Sequence, residues 1–202
     1  MKLIKVRILA LLFTLIILES MQGFCNGVND SIFQSKTNTS EIRKLFIATE
    51  FSTLYSTHHD YFTGGQLIVG YQYTPGFSFG LGTKFVYSKY HFDNTWQLHR
   101  LRFLPVFIDC RISKSRQTLF TPFLHFSQGV SFNSYLKEDN TMGTPYKVSE
   151  QGLYVYGGFG AIFRISNHFA PIVEIGFQGF NMSFNQLAVN PHGATIQIGF
   201  QW

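Results

Sequence analysis

The sequence predicts an all-β fold: an eight-stranded, antiparallel, up-and-down transmembrane β-barrel. Three observations carry this. Apolar and polar residues alternate with period two through eight runs between Lys44 and Trp202, the pattern of strands with one greasy face. The gaps between runs are alternately longer and shorter, as when hairpins turn tightly on one side of a bilayer and loop out on the other. The last run, His192–Trp202, sets Ala194, Ile196, Ile198, Phe200 and Trp202 against Gly193, Thr195, Gln197, Gly199 and Gln201. An aromatic final residue on the apolar face suits a strand that closes a barrel in lipid.

The other end of the chain points to export. Lys2, Lys5 and Arg7 precede an apolar stretch from Ile8 to Leu18 broken only by Thr14. This stretch is too short for a spanning helix and fits a secretory signal over residues 1–25, with Gly23 and Cys25 as the small residues before the cut. Cleavage after Gly27 is the other candidate. Cys25 invites a lipoprotein reading, which Phe24 disfavours. Residues 26–42 are rich in Ser, Thr and Asn without periodicity and read as a flexible tail on the periplasmic side. The barrel is expected over residues 43–202.

The eight runs follow in order. Lys44–Tyr55 sets Leu45, Ile47, Phe51 and Tyr55 against Phe46, Ala48, Glu50 and Ser52. Gly64–Tyr73 sets Leu67, Val69, Tyr71 and Tyr73 against Gln66, Ile68, Gly70 and Gln72, and Thr74-Pro75-Gly76 makes a turn. Phe77–Tyr90 carries Phe79, Leu81 and Phe85 on one face and Ser78 and Lys84 on the other. Trp96–Ile112 opposes Leu104, Val106, Ile108 and Cys110 to Phe107, Asp109 and Arg111. Within it Pro105 lacks a donor, so a bulge or register change is expected there, which leaves the facing of Arg100 and Arg102 open. Leu119–Phe132, Gln151–Arg164 and Phe169–Phe180 alternate likewise before the terminal run. Each is long enough to cross a bilayer at a tilt, which takes ~9–11 residues. The gaps at Ser56–Thr63, His91–Thr95, Asn133–Glu150 and Asn181–Pro191 are the longer, polar ones and read as outer loops.

Composition agrees. The chain has 23 Phe, 10 Tyr and 18 Gly with only 13% charged residues, which suits sheets that meet both bilayer interfaces and turn tightly. Net charge is +5 and becomes +3 once the signal takes away three basic residues and one acidic one. The charges form no basic stripe, so nucleic-acid binding is not expected. With Cys25 removed, Cys110 is the single remaining thiol and reads as a lipid-facing side chain.

Eight strands close around an interior filled by side chains. Face parity turns Glu50, Lys84, Asp109, Arg111, Arg164 and Glu174 inward, three acids and three bases. A packed polar lumen must pair its charges, so a balanced ion network joining several strands is expected, with a structural role. The functional alternative is a gated polar path. No cofactor or metal site is expected. His58-His59-Asp60 could touch a metal, but adjacent residues on a loop make a poor preformed site and read as a solvated tip. Asn133–Glu150, with Tyr135, Met142 and Tyr146, is the most plausible surface for a protein partner.

Leu104-Pro105-Val106-Phe107-Ile108, Thr121-Pro122-Phe123-Leu124, Tyr156-Gly157-Gly158-Phe159-Gly160 and the aromatic terminus, in that order, resemble the small outer-membrane β-barrel family of OmpA/OmpX-type and PorT-like domains. The resemblance covers Arg43 to Trp202. It implies an integral barrel of the Gram-negative outer membrane, in contact with outer-membrane lipid. It also implies insertion by the barrel assembly machinery, for which Ile196, Ile198, Phe200 and Trp202 would be the C-terminal signal. It brings no catalytic residues, and its PorT-like members imply a link to secretion or surface assembly. Some eight-stranded barrels are lipid A deacylases with a His-x-Ser pair. His125-Phe126-Ser127 has the spacing but sits in the wrong strand and on the lumen face. The segment that would correspond to the catalytic strand, Phe177–Asn181, lacks both residues. No enzyme is therefore expected. A secreted lipocalin-like barrel is the soluble alternative, but its apolar face would point inward, whereas here Gly and charge occupy the opposite face.

Overall fold

The computed structural model describes residues 45–57, 59–93, 96–113, 119–138, 145–166, 169–181 and 190–202, with backbone alone for 90–93, 96–97 and 138. The expected signal and tail, His58 and Met142 lie outside the described residues.

Eight strands follow one another in a closed antiparallel barrel: β1 Leu45–Ser56, β2 Tyr61–Thr74, β3 Phe77–Asp93, β4 Trp96–Ser113, β5 Phe120–Glu138, β6 Tyr146–Phe163, β7 Ala170–Phe180 and β8 His192–Gln201. β1 closes on β8, with Phe51 opposite Ile198 and Ala48 opposite Gln201. The end of the chain adds a pair of backbone hydrogen bonds between Ile47 and Trp202, 3.2 and 2.9 Å long.

The alternation in sequence becomes an inside-out protein. Leu45, Ile108, Leu81 and Ile196 are each more than half exposed, whereas Asp109, Gln197 and Ser131 have no accessible surface. Apolar side chains that ring the exterior and polar ones that fill the interior are the partition of a barrel in lipid. Trp202, Phe200 and Phe169 gather at one rim, with Phe169 stacked on Phe200 at 4.9 Å and edge-on to Trp202 at 6.3 Å, as aromatic girdles do at a membrane interface.

Close packing of the lumen rests on glycine opposite bulk. A Cβ at Gly82 would enter the Phe107 ring, and one at Gly158 would strike the Tyr156 hydroxyl.

Two irregularities differ from the expectation. The β3–β4 pairing lapses beside Pro105, between Thr83–Val106 and Val86–Phe103, but resumes in the same register. The missing N–H thus costs local ladder bonds without a shift, and Thr83 Oγ1 donates to the Pro105 carbonyl at 3.2 Å. The actual register shift lies higher, between His99 and Arg102 against β5, where Arg100 has φ 55°.

Strand lengths are uneven, from 10 residues in β8 to 19 in β5. Among the described residues, β5 and β6 pair up to Lys137–Tyr146, while the β6–β7 pairs run from Tyr154–Phe180 down, with one further bond from Asn181 N to Leu153 O. β3–β6 therefore rise beyond the rim as a four-stranded sheet. At ~3.3 Å per residue, Tyr146–Gly152 adds roughly 20 Å of strand. This corrects the expected loop over 133–150. Tyr135 and Tyr146 belong to strands, and Tyr135 is buried.

Candidate functional site: the lumen charge layer

Inward parity on five strands delivers Glu50 from β1, Lys84 from β3, Asp109 and Arg111 from β4, His125 from β5 and Glu174 from β7 to one level of the lumen, all buried. Arg111 is the hub. Its Nη2 donates to Glu50 Oε1 at 2.7 Å, its Nε to Asp109 Oδ2 at 3.3 Å, and its Nη1 lies 3.9 Å from Glu174 Oε1. Gln66 Nε2 donates to the other Glu50 oxygen at 3.0 Å. The guanidinium is held between two rings, 5.4 Å from the Phe123 centroid and 6.0 Å from that of Phe46, a placement that suits a planar, weakly hydrated cation.

His125 ties the second half together. Nδ1 lies 2.7 Å from Glu174 Oε2, which also accepts from the Tyr156 hydroxyl at 3.0 Å. Nε2 lies 2.8 Å from Ser127 Oγ and 2.5 Å from Asp109 Oδ1. Lys84 stands beside the cluster and makes no described ion pair. Its Nζ donates to Gln178 Oε1 at 2.6 Å and Gln197 Oε1 at 3.2 Å.

Five of the six residues expected to form the network are thus at one level. Arg164 is not brought in: β6 ends at Phe163, and Arg164 follows it, half-buried, with its backbone N–H donating to Leu119 O at 2.8 Å. Among the described residues its guanidinium makes no ion pair. His125, which parity also turns inward, is the member missing from the expected set.

Ser127, His125 and Glu174 stand in the order of a Ser–His–acid triad. Ser127 is buried in the lumen. Asp109 lies across the β4–β5 ladder from Ser127 and crowds Nε2 with a carboxylate where an oxyanion would have to develop, the reverse of the donors that stabilise such an intermediate.

Aromatic side chains flank the charges on both sides. Toward the longer connections, Phe62, Phe103, Phe180, Tyr154 and Phe107 form a chain of ring contacts with centroids 4.6 to 5.8 Å apart. Toward the short turns lie Phe46 and Phe123. Ile196, Ile198, Phe200 and Trp202 all face outward and are exposed. His59 Nδ1 pairs with the Tyr55 hydroxyl at 2.7 Å, and among the described residues no group of three metal-ligating side chains comes together.

No protein-family model matches the sequence, and no curated protein matches it. Solved structures do. A major outer membrane protein from Thermus thermophilus superposes with a TM-score of 0.54 at 13% identity, over 78% of this chain and 98% of that one. The chain has the fold of a small outer-membrane β-barrel. The N-terminal β-barrel domain of Pseudomonas aeruginosa OprF (TM-score 0.46, 12% identity, 78% and 97% covered) and the attachment invasion locus protein Ail of Yersinia pestis (0.46, 13%, 78% and 96%) are similar at lower scores. At these identities the likeness extends to the fold alone.

Proposed function

We propose that this chain is an integral protein of the bacterial outer membrane that acts without catalysis, as a rigid base presenting the β3–β6 sheet to a protein partner outside the cell. The single observation that carries the reading is the height of that sheet. Strands that served only to span the bilayer would stop together, as β1, β2, β7 and β8 nearly do, whereas β5 and β6 stay paired to Lys137–Tyr146. A sheet that leaves the membrane offers backbone and side chains on a fixed frame. The ion layer anchors the frame by joining β1, β4, β5 and β7 across the lumen, and the aromatic layers argue against a conduit. Ile196, Ile198, Phe200 and Trp202 serve insertion by the barrel assembly machinery, and the exterior belt contacts lipid.

Replacing Tyr135–Val148 by Asn-Gly tests the reading, because a two-residue turn then joins the Ser134–Ser149 pair and the pairs below it keep their register. The shortened protein is expected to remain a folded barrel in the outer membrane and to lose partners cross-linked to the wild type on intact cells. An unchanged set of cross-linked partners would refute the docking role.

A further inference from the structure

The lumen holds charges of both signs, but the outer face of β3–β6 does not. The acids Glu50, Asp109 and Glu174 face the lumen. On the described outward positions of β3–β6 the charged residues are all basic: Lys89, Arg100, Arg102 and Lys147. Arg100 and Arg102 are exposed, and neither pairs with a described carboxylate. Ladder register sets Lys89 opposite Arg100, between the pairs Ser88–Leu101 and Tyr90–His99, and sets Tyr87 opposite Arg102.

Backbone strain marks the same spot. Arg100 adopts φ 55° at the β4–β5 register shift, a left-handed conformation that a long side chain seldom takes. Bulges re-aim side chains, and such strain is kept where a site needs it. Here the bulge turns a second guanidinium to the outside beside the first.

Beneath the pair the outer wall bears a shallow, open slot. A concavity of about 530 Å³ opens on the bilayer side between β8 and β4, lined outward by Phe51, Gly65, Leu67, Thr83, Phe85 and Leu104. It follows the lapse in the β3–β4 ladder beside Pro105. Leu104 lies two residues from Arg102 on the same face, about 7 Å along the strand. The guanidinium groups thus stand where the apolar outer face of β4, Leu104, Val106 and Ile108, gives way to charge, next to a slot of apolar lining.

We infer that Arg100 and Arg102, with the concavity below them, bind a phosphate-bearing lipid of the outer leaflet, phosphate on the guanidinium pair and one acyl chain in the slot. Arginine matches phosphate with paired N–H donors. The bilayer-facing position selects a lipid over a soluble anion. The inference rests on the outer-membrane reading above.

The experiment is native mass spectrometry of the detergent-solubilised full chain titrated with bis-phosphorylated lipid A, its monophosphoryl form and phosphatidylcholine. Binding is expected to weaken in that order. Arg100→Gln and Arg102→Gln should each weaken lipid A binding about fivefold, the worth of one juxtamembrane basic residue. Gly65→Leu should weaken all three lipids, since a Cβ there meets only the Glu50 carbonyl oxygen at 3.7 Å and the longer side chain fills the slot. Heat-modifiable gel mobility checks that each variant is folded. Equal binding of lipid A by the wild type and the folded Arg100→Gln/Arg102→Gln variant would overturn the site. So would displacement of lipid A by inorganic phosphate at matched concentration, the sign of a soluble-anion site. A protein absent from the outer-membrane fraction would instead overturn the reading on which the inference rests.

Discussion

Removing the hub of the charge layer is the sharpest perturbation the structure offers. Arg111→Met keeps an unbranched chain of similar length between the Phe46 and Phe123 rings and deletes the guanidinium. Glu50, Asp109 and Glu174 then lose contacts at 2.7, 3.3 and 3.9 Å, and three buried carboxylates are left with His125 and the nearby Lys84. Breaking a buried pair by taking away one partner costs about 3–5 kcal/mol, because the partner's charge stays desolvated. With a urea dependence of about 1–3 kcal/mol per molar, the unfolding midpoint should fall by at least about 1 M. The assay is urea unfolding of the protein refolded into lipid vesicles, read by tryptophan fluorescence and gel mobility. Glu50→Gln added to Arg111→Met should recover part of the loss, since one stranded charge is removed with it. A loss below about 1 kcal/mol, or no recovery in the double variant, would show that the layer is not a coupled network.

Other consequences follow from the same packing. Gly158→Leu should lower stability by at least about 1–3 kcal/mol in that assay, because the added Cβ meets the Tyr156 hydroxyl and the Ile175 carbonyl oxygen; an unchanged midpoint would mean that the lumen is looser than described. Cys110, on the outer face opposite Phe79 and Phe126, should resist a water-soluble maleimide in membranes and react after denaturation. Rapid labelling of the native protein would put that face in water. Planar bilayers containing the wild type or Lys84→Ala should show no discrete channels, and steps altered by the substitution would revive the gated path.

The barrel and its inner and outer faces were legible in the sequence because period-two alternation is enforced wherever one face meets lipid. That is why Glu50, Lys84, Asp109, Arg111 and Glu174 could be set inward by parity alone. Parity says nothing about partners, however, so it could not separate Lys84, which is bound by glutamines, from Arg111, which is bound by carboxylates. It failed for Arg164 because the strand ends one residue earlier and the face ceases to be defined. The upper halves of β5 and β6 read as loop for a related reason. Outward positions there include Ser134, Lys147 and Ser149, so the apolar alternation through Asn133–Glu138 and Tyr146–Glu150 fades although the ladder continues. The bulge was sought at Pro105, the residue with a local signal. Arg100 carries none, and its left-handed backbone reflects how β4 must fit β5 rather than anything in its own side chain.

The barrel is closed, apolar outside and charged within, and its proposed home is the outer membrane. Migration of the outer-membrane fraction on gels, with and without boiling, tests it most directly. A faster band in the unboiled sample, converting to the full-length position on heating and found only with the outer membrane, is the expected result. A detergent-independent soluble species whose mobility is indifferent to boiling would contradict the account and exchange its inside for its outside.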